Sequence, residues 1–117
     1  MLLPPFFIKM KYKRFKIKEG QESQWRIWCG ILNMRHDEAF ETLREEGVIR
    51  EACWIKDGYA YYGMEGQCLP ATDRELNREH RRNRRECFEV PSEEVFEVPQ
   101  GAEVLFDFNI VLSPITK

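Results

Sequence analysis

The sequence predicts an α+β fold in which a four-stranded antiparallel sheet carries two helices on one face, in the order β-α-β-β-α-β. Three observations predict it. Residues Val48 to Glu65 read V-I-R-E-A-C-W-I-K-D-G-Y-A-Y-Y-G-M-E, two runs rich in β-branched and aromatic residues on either side of Asp57-Gly58. That dipeptide readily takes the positive φ angles of a type I′ turn, so the stretch is a β-hairpin. Period-two alternation near each end of the chain supplies the outer strands, and helical periodicity before and after the hairpin supplies the helices. This order is that of a ferredoxin-like split βαβ unit.

Taking the chain in order, the opening M-L-L-P-P-F-F-I has no basic segment, is broken by Pro4-Pro5, and is too short to span a bilayer or act as a signal peptide. Residues 1–9 read as an upstream extension or a short apolar arm, and the domain as residues 10–112. From Tyr12 to Lys18 the alternation sets Phe15 and Ile17 against Tyr12, Arg14, Lys16 and Lys18, which is the first strand. Gln21 to Glu46 changes to a helical period, with Trp25, Cys29, Leu32, Ala39 and Leu43 in one stripe and Trp28 and Phe40 at its edges. His36 falls near the centre of that stripe. Gly30 is placed to kink or split the helix, and Gly47 to end it.

A two-residue turn fixes the hairpin register. Lys56 pairs with Tyr59, Trp54 with Tyr61 and Ala52 with Gly63 on one face, and Ile55/Ala60, Cys53/Tyr62 and Glu51/Met64 share the other. Both faces are largely apolar, so a homodimer packing sheet against sheet is the expected cover for the face without helices. After the hairpin, Thr72 and Glu75 have the spacing of a capping box for a helix from Asp73 to about Phe88. Its inward face is Asp73, Leu76, His80, Asn83 and Cys87, and its outer face carries Arg74, Arg78, Arg81, Arg82 and Arg85. A repeated F-E-V-P, at Phe88 to Pro91 and Phe96 to Pro99, makes residues 88–102 an extended acidic connector. Glu103 to Val111 is the last strand, with Val104, Phe106 and Phe108 on one side and Leu105, Asp107 and Asn109 on the other. Ser113-Pro114 ends it, leaving 113–117 as a tail.

A length of 117 residues, 43% hydrophobic and 13% aromatic, is enough for one real core. A formal charge of -2 excludes an overall electrostatic attraction to nucleic acid or anionic membrane. Cys29, Cys53, Cys68 and Cys87 form no C-x-x-C pair, which points to reduced thiols in the cytoplasm and to no metal or cofactor.

W-R-x-W at Trp25 to Trp28, R-x-x-E with T-L at Arg35, Glu38, Thr42 and Leu43, Y-Y-G-M-E at Tyr61 to Glu65, and H-x-x-x-x-x-E-C ending at Cys87 form a recognisable set. Over Met10 to Glu89 the chain resembles a family of small prokaryotic proteins of unknown function assigned to the dimeric α/β barrel superfamily. That resemblance implies a dimer of ferredoxin-like units with a ligand cleft between sheet and helices. The superfamily includes cofactor-independent monooxygenases, sugar mutarotases, lactone isomerases and haem-degrading enzymes, so membership implies a fold and a pocket rather than a reaction.

The candidate site follows from the two histidines, His36 and His80, which periodicity aims at the sheet from different helices. A histidine on an apolar face is ordinarily a satisfied core residue; two of them, with Asn83 beneath the second helix, make a cleft worth weighing. Tyr61 or Tyr62 supplies a phenolic proton donor, only one facing the cleft because strand neighbours alternate. Trp25 and Trp28 form its wall. Arg35 and Glu38 either bind ligand or pair at i,i+3. The reading is a small organic molecule bound between sheet and helices, with isomerase, mutarotase or cofactor-independent oxygenase chemistry. The alternatives are a non-catalytic interaction module and, below it, a nucleic-acid surface on the arginine helix, which Glu75, Glu79 and Glu86 dilute.

Overall fold

In the computed structural model, which describes residues 10–67, 69–70 and 73–110, the elements run β1 (Lys11–Lys16), α1 (Glu22–Met34), α2 (His36–Glu45), β2 (Val48–Lys56), β3 (Tyr59–Gly66), α3 (Glu75–Cys87), β4 (Glu93–Val95) and β5 (Glu103–Asn109). The hairpin turns at Asp57 and Gly58, whose φ angles of +50° and +81° are those a type I′ turn requires. Its register is the one the alternation dictates, from Lys56 opposite Tyr59 through Cys53 opposite Tyr62 to Glu51 opposite Met64. β1 then pairs with β3, and β5 with β2, both antiparallel.

The sheet has the order β4-β1-β3-β2-β5. Among the described residues it is thus five-stranded, with three helices, which corrects the expected four-stranded ferredoxin-like sheet of dimeric α/β barrel type with two helices. Two local events make the difference. Within the acidic connector, Glu93–Val95 pairs with β1, Tyr12 lying opposite Val95, and the Arg14–Glu93 ion pair joins the two strands. The long helix breaks at Arg35 and not at Gly30, which stays inside α1. Arg35, at φ -103° and ψ 34°, closes α1 with its N–H on the Ile31 and Leu32 carbonyls, and its own carbonyl accepts the Ala39 N–H to open α2.

The helices cover one sheet face. Phe15, Ile17, Cys53, Ile55, Ala60 and Tyr62 are buried there with Phe106 and Phe108. Against them pack Trp25, Trp28, Cys29 and Leu32 from α1, Ala39 and Leu43 from α2, and Leu76 and Cys87 from α3. Each fully buried large apolar side chain contributes roughly 1.5–3 kcal/mol, so this layer fixes where the helices sit. In β5 a register shift opposite Cys53 and Trp54 turns Val104 outward, 53% exposed, while Leu105 packs on the core, reversing the faces the alternation assigned to these two. α3 begins at Glu75 after Arg74, with no side-chain cap; Asp73 is exposed and pairs with Arg78, and Thr72 lies outside the described residues.

The second sheet face is covered in part by the chain's own long side chains. Tyr12 meets Trp54 edge to face at 6.0 Å, the Arg14 guanidinium lies 4.7 Å from the Tyr59 ring centroid, and Arg50 pairs with Asp107 at 2.6 Å. Tyr61 and Ala52 are buried beneath this layer. Among the described residues no helix is long and apolar enough to cross a membrane.

Candidate functional site

Three elements bring the polar centre together. α3 buries Leu76, Asn83 and Cys87, and His80 shares their helical face. Glu51 stands on β2 two residues before Cys53 and so points to the same inward face, and Tyr62 stands opposite Cys53 on β3, diagonal to Glu51. The side chains of His80 and Glu51 are 16% and 13% exposed.

These groups form a directional series of hydrogen bonds. Trp28 donates its Nε1–H to His80 Nδ1 at 2.9 Å. An Nδ1 that accepts carries no proton, so the neutral imidazole holds its hydrogen on Nε2. That Nε2 lies 2.6 Å from the Tyr62 hydroxyl, which in turn donates to Glu51 Oε2. Trp25 and Trp28 flank the imidazole, each ring centroid 6.1 Å away.

Burial sets the protonation states. It lowers His80 from 6.5 to about 3, with the positive Arg84 and Arg81 acting in the same direction, so the ring is neutral at physiological pH. Tyr62 is raised well above 10.0, first by burial and then by the charge of Glu51, and remains a phenol. Glu51 is raised from 4.5 to about 7 by burial, against the opposing Tyr62 hydrogen bond and Arg84 charge. Near neutral pH it is therefore shared between acid and carboxylate, the condition under which a carboxyl both takes and gives protons efficiently.

Glu51, Tyr62 and His80 line a cavity of about 190 Å³ between the sheet and the helices. Its apolar wall is Leu32, Ala39, Leu43, Leu76 and Phe108. Glu46 and Asn77 also line it, joined by a 3.3 Å hydrogen bond from the amide, and burial raises the Glu46 carboxyl as well. Arg81 and Arg84 complete it on the α3 side. Thr42 contributes a buried hydroxyl with no hydrogen-bond partner among the described residues.

His80 and Tyr62 thus share one site, and Tyr61 lies on the opposite sheet face, paired with Trp54. Trp25 and Trp28 stand behind His80 and are not among the residues lining the cavity. His36 is not in it: its side chain is 53% exposed, pairs with Asp37 and packs edge-on against Phe40, because the break at Arg35 resets the helical phase. Asn83 is buried in the α1–α3 contact, accepting from Gln24 at 3.1 Å and donating to the Glu79 carbonyl at 2.8 Å. It borders a separate groove with Ile27 and Ile31. Arg35 grips Glu38 with two bonds, at 2.7 and 2.9 Å, and reaches Glu79 at 2.9 Å, which accounts for all three residues structurally.

Sequence reasoning missed Glu51, Glu46, Thr42, Arg81 and Arg84. For Glu51 the signal was present: the hairpin register puts it on the apolar Cys53–Ile55 face, where a carboxyl has to be used or satisfied. No three His, Cys, Asp or Glu side chains converge as metal ligands among the described residues. Cys29, Cys53 and Cys87 are free and buried.

A family profile described as Family of unknown function (DUF6176) matches residues 8–106. The chain belongs to that family. The match spans every element from β1 into β5, and with them all the cavity residues except Phe108. It carries neither a superfamily assignment nor a prokaryotic restriction, so the resemblance to the dimeric α/β barrel superfamily is narrowed to this family alone. The searches of curated proteins and of solved structures each gave no match.

Proposed function

We propose that this family member binds a small organic molecule in the cavity between sheet and helices, and that Glu51 exchanges a proton with it. One observation carries the reading: a hydrogen-bonded series from Trp28 through His80 and Tyr62 ends in an enclosed carboxyl that borders open space. Arg35, Glu38 and Glu79, by contrast, hold one another in an ion-pair cluster near the surface that borders no part of the cavity. Trp28 fixes the imidazole tautomer, His80 orients the phenol, and Tyr62 presents a donor beside the carboxyl. Isomerase or mutarotase chemistry and cofactor-independent oxygenase chemistry both begin with such a proton transfer.

The test is a thermal-shift screen of small polar organic molecules against wild type and Glu51→Gln, with hits mapped by NMR. Expected are hits that perturb Leu43, Leu76 and Tyr62 signals and weaken in the variant. Hits confined to the groove beside Asn83, or none at all, would overturn the proposal.

The arginine helix is a weaker candidate for nucleic acid, since Arg74 pairs with Glu41 and Glu45, Arg78 with Asp73, and Arg81 and Arg84 line the cavity. Self-association through the outer sheet face is a second proposal, favoured by Val104, 53% exposed opposite Trp54. Sedimentation showing a monomer at micromolar concentration would contradict it.

A further inference from the structure

We infer that the molecule taken by the cavity carries a single carboxylate, anchored by Arg84 and Arg81, on a short apolar body. The inference rests on the proposed use of the cavity as a small-molecule site. It begins with the ion pairs. Arg26, Arg35, Arg50, Arg74 and Arg78 each hold a carboxylate at 3.3 Å or less, whereas neither Arg81 nor Arg84 has one within ion-pair distance among the described residues. Arg81 and Arg84 both border the cavity.

Arg84 is half-buried beside two aromatic rings: its guanidinium carbon lies 5.3 Å from the Phe15 ring centroid and 5.4 Å from that of Tyr62. Cation–π contacts of this kind restrain a guanidinium without using its carboxylate-binding N–H fork, which can receive a carboxylate through two parallel bonds. The Tyr62 contact also sets that fork beside the phenol that bonds Glu51, so an anchored ligand would lie next to the proton-transfer groups.

The other walls narrow the class. Leu32, Ala39, Leu43, Leu76 and Phe108 call for hydrocarbon, and a volume of about 190 Å³ is below the ~300–1,000 Å³ of pockets for drug-sized ligands. The Thr42 hydroxyl, 5% exposed and without a partner among the described residues, offers one further hydrogen bond to an oxygen on the ligand. Glu46 and Glu51 also face this space, so a dianion such as a phosphate monoester would meet about twice the repulsion that a monoanion does. A short-chain carboxylic acid, with or without a hydroxyl or keto group, satisfies all four walls.

Hexanoate and its neutral isostere hexanamide separate charge from shape. Calorimetric titration of the full chain at neutral pH should show hexanoate binding at least about tenfold more tightly than hexanamide. Arg84→Gln should erase that preference, bringing the hexanoate-to-hexanamide affinity ratio close to one. Because Arg84 also packs against two rings, Arg81→Gln at an exposed position serves as a second variant, expected to reduce the preference several-fold with an unaltered melting temperature. Equal affinity for the two compounds, or a preference that survives both variants, would overturn the carboxylate anchor and leave the cavity proposal standing. Failure of both compounds to bind at millimolar concentration would also overturn it, and the library screen described above decides separately whether the cavity binds any organic molecule.

Discussion

Replacing Glu51 by Gln should make the protein more stable at mildly alkaline pH while weakening its ligand response. The side chain keeps its length and can still accept the Tyr62 hydroxyl, but it can no longer ionise. Raising the folded-state pKa from 4.5 to about 7 means that the folded protein holds this proton more tightly than the unfolded chain does. The associated stability is fully present below the unfolded value and is lost as pH rises through the folded one, after which it stays level. Across the whole interval the loss is roughly 3 kcal/mol, of which roughly 2–3 kcal/mol falls between about pH 5 and about pH 8. The assay is urea unfolding of wild type and variant at those two pH values. Subtracting one stability difference from the other cancels any constant effect of the amide. The variant should gain roughly 2–3 kcal/mol on wild type between the lower and the higher pH, with the same denaturant slope. A difference that does not change with pH would show an ordinary carboxyl, and one that favours wild type at the higher pH would show a carboxylate stabilised by its surroundings. Either result refutes the reasoning.

Tyr62→Phe leaves the Glu51 carboxyl and the His80 Nε2 without their common partner, and should cost roughly 1–3 kcal/mol in urea unfolding while eliminating ligand-induced shifts. His80→Gln should flatten the acid limb of stability: the wild-type imidazole, lowered from 6.5 to about 3, contributes stability above the higher value that is lost as pH falls toward the lower, and Gln has no such loss. Comparing unfolding free energies at mildly acidic and neutral pH checks it, and an unchanged acid limb would contradict it. Gly66→Ala should cost at least about 2 kcal/mol, since a Cβ there would lie 2.5 Å from the Gly47 carbonyl oxygen in a backbone held at φ +129°. Gly30→Ala, inside α1 with open space at its Cβ, should instead raise the midpoint, by roughly 0.5–1 kcal/mol, and a lowered midpoint would be the contrary result.

What the sequence disclosed was local. Asp57-Gly58 and the alternation around it determine the hairpin register, because turn geometry and side-chain parity act over a few residues and leave no competing pairing. Most of the inward face of α3 was legible for the same reason, Leu76, Asn83 and Cys87 being buried with His80 on their face, while Asp73 lies before the helix and is exposed. The misreadings came from tertiary causes. No Gly or Pro marks the break at Arg35, where the Glu38 and Glu79 carboxylates hold the guanidinium, so His36 was assigned to a stripe it leaves. Glu93–Val95 has no alternation of its own and becomes a strand because β1 offers an unpaired edge and Arg14 an ion pair. The site was half legible: His80 and Tyr62 have residue types that invite attention, while Glu51, on the Cys53–Ile55 face by the same register, went unweighed.

Glu51 is the group on which the proposed site depends, and a carboxyl carbon-13 NMR titration of glutamate-labelled protein measures its ionisation directly. The prediction is one resonance titrating at about 7, absent in Glu51→Gln and displaced when a cavity ligand is added. A Glu51 resonance that titrates near 4.5 and is indifferent to any ligand would contradict the proposed site.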